Sequence, residues 1–254
     1  MTGHSESATT TTADRDEIAR FSALAATWWD PHGPMAPLHE LNPARIGYVR
    51  DRIAAHYGRN PKNDAPLKGL TVLDIGCAGG LLCEPLTRLG ARVTGIDAAD
   101  DNIAVARQHA DDMRLEIDYR HASPEDLIGE DTRFDVVLAL EVVEHVADVD
   151  AFVRAAAGLV EPGGILIAST LNRTPKSFAL AIVGAEYLLR WVPRGTHDWR
   201  KFLKPSELAR ALRAADLTIE DLSGLSYEPL RKTWRITRNV DVNYIVTANR
   251  PGAT

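Results

Sequence analysis

The sequence predicts an α/β fold, a mostly parallel seven-stranded sheet with helices on both faces. Three observations carry this. Apolar runs at Leu70–Asp74, Arg92–Asp97, Phe134–Leu140 and Ile165–Thr170 alternate with helical patterns, as strands joined by crossover helices do. The first run ends in Gly76-Cys77-Ala78-Gly79-Gly80, and a helical pattern follows from Leu81 to Leu89. Such a strand-to-helix turn opens at the carboxyl end of a wound sheet, where small ligands sit. Finally, 254 residues with 45% hydrophobic content suffice for one sizeable core.

Residues 1–13 form an expected disordered tail, since Met1 to Thr12 is Thr- and Ser-rich and nearly devoid of apolar side chains. Residues 14–254 form a single domain. Its first part, 14–60, reads as a helical cover over the ligand cleft. Ile18, Phe21, Leu24, Ala25 and Trp28 share one helical face, a Pro/Gly loop runs from Pro31 to Pro37, and a second helix starts with Asn42 as N-cap and Pro43 in the first turn. Trp28 and Trp29 either belong to that cover or are packing aromatics. After a linker at Gly58 to Lys68 come the strands named above and Leu115–Arg120, with helices at Asp101–Asp112 and Val149–Val160. Pro162-Gly163-Gly164 reads as the stop of the latter. A helix at Pro205–Ala215 leads to strands at Leu217–Leu222 and Val242–Ala248.

A net charge of −6 argues against bulk nucleic-acid binding. The two cysteines, Cys77 and Cys83, have no metal-site spacing and suit a reduced cytoplasmic protein. The chain contains no stretch of about twenty uninterrupted apolar residues and no secretion pattern at its start.

The glycine turn reads as a nucleoside site. Asp97 lies 21 positions after Gly76, placed to hold ribose hydroxyls. A dinucleotide fingerprint would need glycine at positions 78 and 81, which hold Ala78 and Leu81. Asp74 at the mouth disfavours phosphate and favours a cation. S-adenosylmethionine, with an ammonium, a sulfonium and no phosphate, fits these terms. A nicotinamide dinucleotide and a purely structural turn are the alternatives.

The strand Phe134–Leu140 ends in Glu141-Val142-Val143-Glu144-His145, on the same edge of a parallel sheet as the glycine turn. Glu141, Glu144 and His145 fall on one side of a helical turn and could hold Mg²⁺, which would acidify a phenol for O-methylation. Alternatively His145 takes the phenolic proton itself, or the group merely caps a helix.

Residues 173–204 form an amphipathic, basic, helical insert. It carries seven cations against Glu186 and Asp198, around the apolar block Phe178 to Val183 and Tyr187-Leu188-Leu189, closed by Trp191-Val192-Pro193. It reads either as a helix lying in a membrane interface or as a lid.

The glycine turn, Asp97, Phe134-Asp135-Val136-Val137 and Glu161-Pro162-Gly163-Gly164 resemble the Rossmann-like class I S-adenosylmethionine-dependent methyltransferases. Trp28-Trp29-Asp30, Pro37-Leu38-His39, Leu41 to Tyr48, Ser169 to Arg173, Val183 to Tyr187, Pro193 to Asp198 and Val240-Asp241-Val242-Asn243-Tyr244 further resemble the ubiquinone-biosynthesis O-methyltransferases, the UbiG family. That resemblance implies two O-methylations of polyprenylated rings, 2-polyprenyl-6-hydroxyphenol and 3-demethylubiquinol. It implies cofactor contacts at Arg45, Gly76, Asp97 and Leu140, catalysis by Glu144 and His145, and a Mg²⁺ set at Glu141, Glu144 and His145. An isoprenoid substrate also implies a cytoplasmic protein attached peripherally to the inner face of the membrane through the insert, beside other enzymes of the route. The chain departs from the family's pattern at Ala78, where glycine is usual, and at Leu140 and Val142, where Met is often found.

Overall fold

A computed structural model describes residues 12–179, 198–228, 231 and 233–252. The expected tail up to residue 11 and most of the amphipathic insert, residues 180–197, lie outside the described residues.

Among the described residues eight strands form one sheet: β1 (Thr71–Ile75), β2 (Arg92–Asp97), β3 (Asp118–His121), β4 (Phe134–Leu140), β5 (Val160–Leu171), β6 (Thr218–Glu228), β7 (Thr233–Thr237) and β8 (Asn243–Asn249). Their order is β3-β2-β1-β4-β5-β8-β6-β7. β1 to β5 run parallel, and β8 inserts antiparallel between β5 and β6. The strand missing from the expected seven is β7. It hairpins with β6 and is partly exposed along its length, so no apolar run marks it.

Helices cover both faces: α1 (Arg15–Ser22), α2 (Ala36–His56), α3 (Cys83–Arg88), α4 (Asp100–Asp112), α5 (Pro124–Ile128), α6 (Val149–Gly158), α7 (Pro175–Ser177) and α8 (Pro205–Ala214). β4 shows why two layers are needed. Val136, Leu138 and Leu140 pack with α2, α3 and α4, while Phe134, Val137 and Ala139 pack with α5, α6 and α8. Leu138 is fully buried, and truncating such a residue to alanine costs about 2–5 kcal/mol.

Several boundaries differ from expectation. α2 begins at Ala36, so Pro37 starts the helix rather than ending a loop, and Asn42 is a buried mid-helix residue instead of its cap. α6 ends at Gly158. Pro162 to Gly164 instead lie in a bulge of β5, where the register jumps from Phe134↔Val160 to Val136↔Ile165. The cover begins before residue 14: Thr12 is buried with its hydroxyl donating to Glu125 Oε1 at 2.7 Å, and Ala13 bridges Val146. Among the described residues no helix is long and apolar enough to cross a membrane.

Candidate active site

The parallel strands end on one edge, where a cavity of about 1100 Å³ is lined by the glycine turn, the β4–α6 loop and the N-terminal cover. All six residues expected at the cofactor and catalytic positions, Arg45, Gly76, Asp97, Leu140, Glu144 and His145, line it, as does Glu141.

β1 turns into α3 through Gly76 at φ +70°, and a Cβ there would lie 2.6 Å from Val142 Cγ2. The Gly76 and Cys77 N–H groups both donate to Ile96 O, at 2.8 and 3.0 Å, so Gly76 offers the cavity space rather than a free N–H. Ala78 sits at φ +49° and donates its N–H to Asp97 Oδ2 at 2.9 Å. Asp97 Oδ1 accepts from Ala99 N at 2.8 Å and Asn102 Nδ2 at 3.2 Å. A carboxylate has about four acceptor positions, so Asp97 keeps one, on Oδ2, open to a ligand donor. The cover reaches this acid through Trp28, whose Nε1 donates to Asn102 Oδ1 at 2.8 Å, while Trp29 Nε1 donates to Gly79 O at 2.8 Å.

Arg45 is buried on α2, with Nε and Nη2 donating to Asn42 Oδ1 at 3.2 and 2.7 Å. Burial lowers its pKa, against the charges of Glu141 and Asp74. Asp74 is buried too, and burial pushes its carboxyl up to about 7, opposed by a 3.3 Å bond from Cys83 Sγ and by the Arg45 charge. The expected full negative charge at the mouth is therefore a buried acid that shares its proton near neutrality. Both cysteine thiols are buried and pushed up by burial, which makes them inert.

Glu141 leaves β4 at φ +58°, and a single 3₁₀ turn, Val143–His145, follows. The side chains then take separate partners. Glu141 Oε1 accepts from Ser169 Oγ at 2.7 Å, and Glu144 Oε2 from Thr170 Oγ1 at 2.8 Å. His145 Nδ1 faces Glu17 Oε2 at 3.1 Å, with its ring edge-on to Phe21 at 5.1 Å. Burial, then the charge of Glu141, pushes Glu144 up to about 7. Glu17 is held down at about 2, chiefly by its bond to His145, with Lys201 Nζ 3.2 Å away. The expected Mg²⁺ set does not fit this arrangement. Among the described residues no three acid, His or Cys side chains converge as ligands.

Sequence reasoning missed Glu17, although its spacing puts it on the face of Phe21 and Leu24, four and seven positions on, where an acid in an apolar stripe is the signal. It also missed Tyr227 and Trp234 of the β6–β7 hairpin, which line the cavity with their rings 5.5 Å apart.

The fold and the site are those of a class I S-adenosylmethionine-dependent methyltransferase. A family model described as a methyltransferase domain matches residues 43–222. The magnesium protoporphyrin IX methyltransferase of Synechocystis PCC 6803, solved with S-adenosylmethionine, shares the fold at TM-score 0.58 and 20% identity, over 95% of this chain and 100% of that one. The ubiquinone biosynthesis O-methyltransferase of Methylobacterium nodulans is 55% identical over 94% of this chain and 96% of its own length. That of Azorhizobium caulinodans is 57% identical over 92% and 93%. The chain belongs to the ubiquinone biosynthesis O-methyltransferase family.

Proposed function

We propose that the chain moves the methyl group of S-adenosylmethionine onto a ring oxygen of polyprenylated catechols, namely 2-polyprenyl-6-hydroxyphenol and 3-demethylubiquinol. The observation that carries this reading is a cavity whose lining includes both Gly76 and Asp97 and Glu144 and His145.

The sulfonium supplies an activated methyl group. Asp97 accepts a ribose hydroxyl, Leu140 lines the adenosyl side, and buried Arg45 and Asp74 set the local charge. His145 presents Nε2 as the base, because Nδ1–H is engaged by Glu17. As the ring oxygen forms its bond to the methyl carbon, that carbon–sulfur bond breaks and the phenolic proton passes to Nε2. Glu17 holds the imidazole in register and stabilises the imidazolium, as does the charge of Glu144. Neutral S-adenosylhomocysteine and the aryl methyl ether leave, and the imidazolium returns its proton to solvent.

The polyprenyl tail partitions into lipid, so the reaction runs at a membrane surface. The basic, Leu- and Trp-rich insert, residues 173–204, makes that contact on the cytoplasmic side, where other enzymes of the route are its neighbours. Phe178 at its start is 45% exposed, which supports this. The test is a complex with S-adenosylhomocysteine and a short-tailed catechol. A ring oxygen beside His145 Nε2 supports the reading, and a ring bound outside the cavity overturns it.

A further inference from the structure

β8 enters the sheet antiparallel to β5, so its first residues stand at the carboxyl edge where the catalytic loop lies. The register pairs Thr170 with Tyr244 and Leu171 with Asn243. Side chains alternate along a strand, so Asn243 shares its face with Leu171, and both line the cavity, while Thr170, the donor to Glu144, faces the other way. Asn243 lines the cavity and is only 5% exposed, yet its Oδ1 has no hydrogen-bond donor.

A buried amide oxygen without a partner costs stability unless something else satisfies it. Asn172 gives a partial contrast: its Oδ1 is likewise buried without a partner, but it does not line the cavity, and it donates Nδ2 to Val240 O at 2.8 Å and its N–H to Val242 O, so it fastens the segment leading into β8. Gly224 serves the same segment, since a Cβ there would lie 1.7 Å from Asn239 O. The chain thus fixes the approach to Asn243 while the amide itself fastens nothing. Tyr227 and Trp234, their rings 5.5 Å apart, line the same cavity.

We infer that Asn243 is a specificity-determining residue whose side-chain amide accepts a hydrogen bond from the ring hydroxyl that is not being methylated. This rests on the catechol reading above. An oxygen acceptor held in an apolar lobe favours a ring with a second hydroxyl over one that lacks it, because the lone phenol leaves the acceptor orphaned. The same position explains why an asparagine stands at the start of a buried strand, where β propensity alone disfavours it.

Calorimetry on the full chain loaded with S-adenosylhomocysteine tests this with two probes, 3-prenylcatechol and 2-prenylphenol. The native chain binds the catechol about tenfold more tightly or better. Asn243→Leu reduces that preference to about twofold or less, with phenol and S-adenosylhomocysteine affinities unchanged. It also raises Tm by roughly 2–4 °C, since an orphaned polar group is gone. Asn243→Thr, which keeps an oxygen acceptor, retains part of the preference. An intact preference in Asn243→Leu overturns the inference, as does equal loss of both ligands with a lower Tm, which is a structural role. No preference in the native chain overturns it as well. If the native chain discriminates but transfers no methyl group, the methylation reading falls while the affinity ratio still decides the role of Asn243.

Discussion

Glu17 and His145 are 128 positions apart in the chain and meet at 3.1 Å. The contact joins the N-terminal cover to the end of β4, so the base we propose at His145 is completed only when the cover is in place. The carboxylate fixes the imidazole tautomer, and Phe21 confines the ring edge-on.

Removing that carboxylate therefore lowers turnover without touching the cofactor. Glu17→Ala is expected to reduce kcat on the order of 10²-fold, with S-adenosylmethionine affinity within about twofold of the native value. His145→Ala reduces it at least as far, and the double variant is no worse than His145→Ala alone. Steady-state kinetics on a short-tailed catechol check this; additive losses would separate the two residues.

Burial raises Asp74 from an ordinary 3.8 to about 7, with a definite sign for pH dependence. The folded state keeps a proton that the unfolded state has already released, so stability falls as pH rises from near 4 through about 7. Glu144 contributes in the same direction. Asp74→Asn is expected to flatten part of the decline in Tm between pH 5 and 8, values chosen to bracket the titration. A cationic sulfonium favours the ionised acid, so preference for S-adenosylmethionine over S-adenosylhomocysteine grows with pH in the native chain and stays level in Asp74→Asn. Titration calorimetry across that range decides it; a pH-independent preference in the native chain would remove Asp74 from the account of donor charge.

Trp28, Asn102 and Asp97 form one hydrogen-bonded line from the cover to the cofactor acid. Asp97→Ala is expected to cost about 1–3 kcal/mol of cofactor affinity and Trp28→Phe about 1 kcal/mol, since the latter orphans Asn102 Oδ1. Full affinity in Asp97→Ala would place the ribose elsewhere.

Deleting Gly184 to Gly195 is expected to weaken binding to anionic liposomes about tenfold or more and leave cofactor affinity unchanged. Flotation with vesicles of anionic and neutral lipid measures it. Equal binding after the deletion would make the insert a lid rather than a membrane contact.

The parallel half of the sheet was legible because its strands are buried on both faces, as the runs Leu70–Asp74 and Phe134–Leu140 show. β7 was not, because Thr233–Thr237 is half-exposed and lacks both an apolar run and a clean alternation. Asn42 preceding Pro43 has the residue pattern of a helix start, but tertiary packing overrode it: its amide is needed inside, donating to Leu81 O at 3.0 Å and accepting from Arg45. Gly76, Asp97, Glu144 and His145 could be placed beside one cavity from the sequence because strand ends of a parallel sheet open on one side. Glu17, Asn102 and Asn243 were not so placed, since they reach the cavity from a preceding helix, a crossover helix and an antiparallel strand. No local spacing encodes such convergence.

The most direct test of methyl transfer within the shared cavity is a turnover assay with methyl-labelled S-adenosylmethionine and 3-prenylcatechol. The expected result is label on a ring oxygen, with one S-adenosylhomocysteine formed per methyl ether, and near-complete loss of label in His145→Ala at undiminished cofactor binding. Native protein that binds the donor and yields no labelled ether from any prenylated catechol would contradict it.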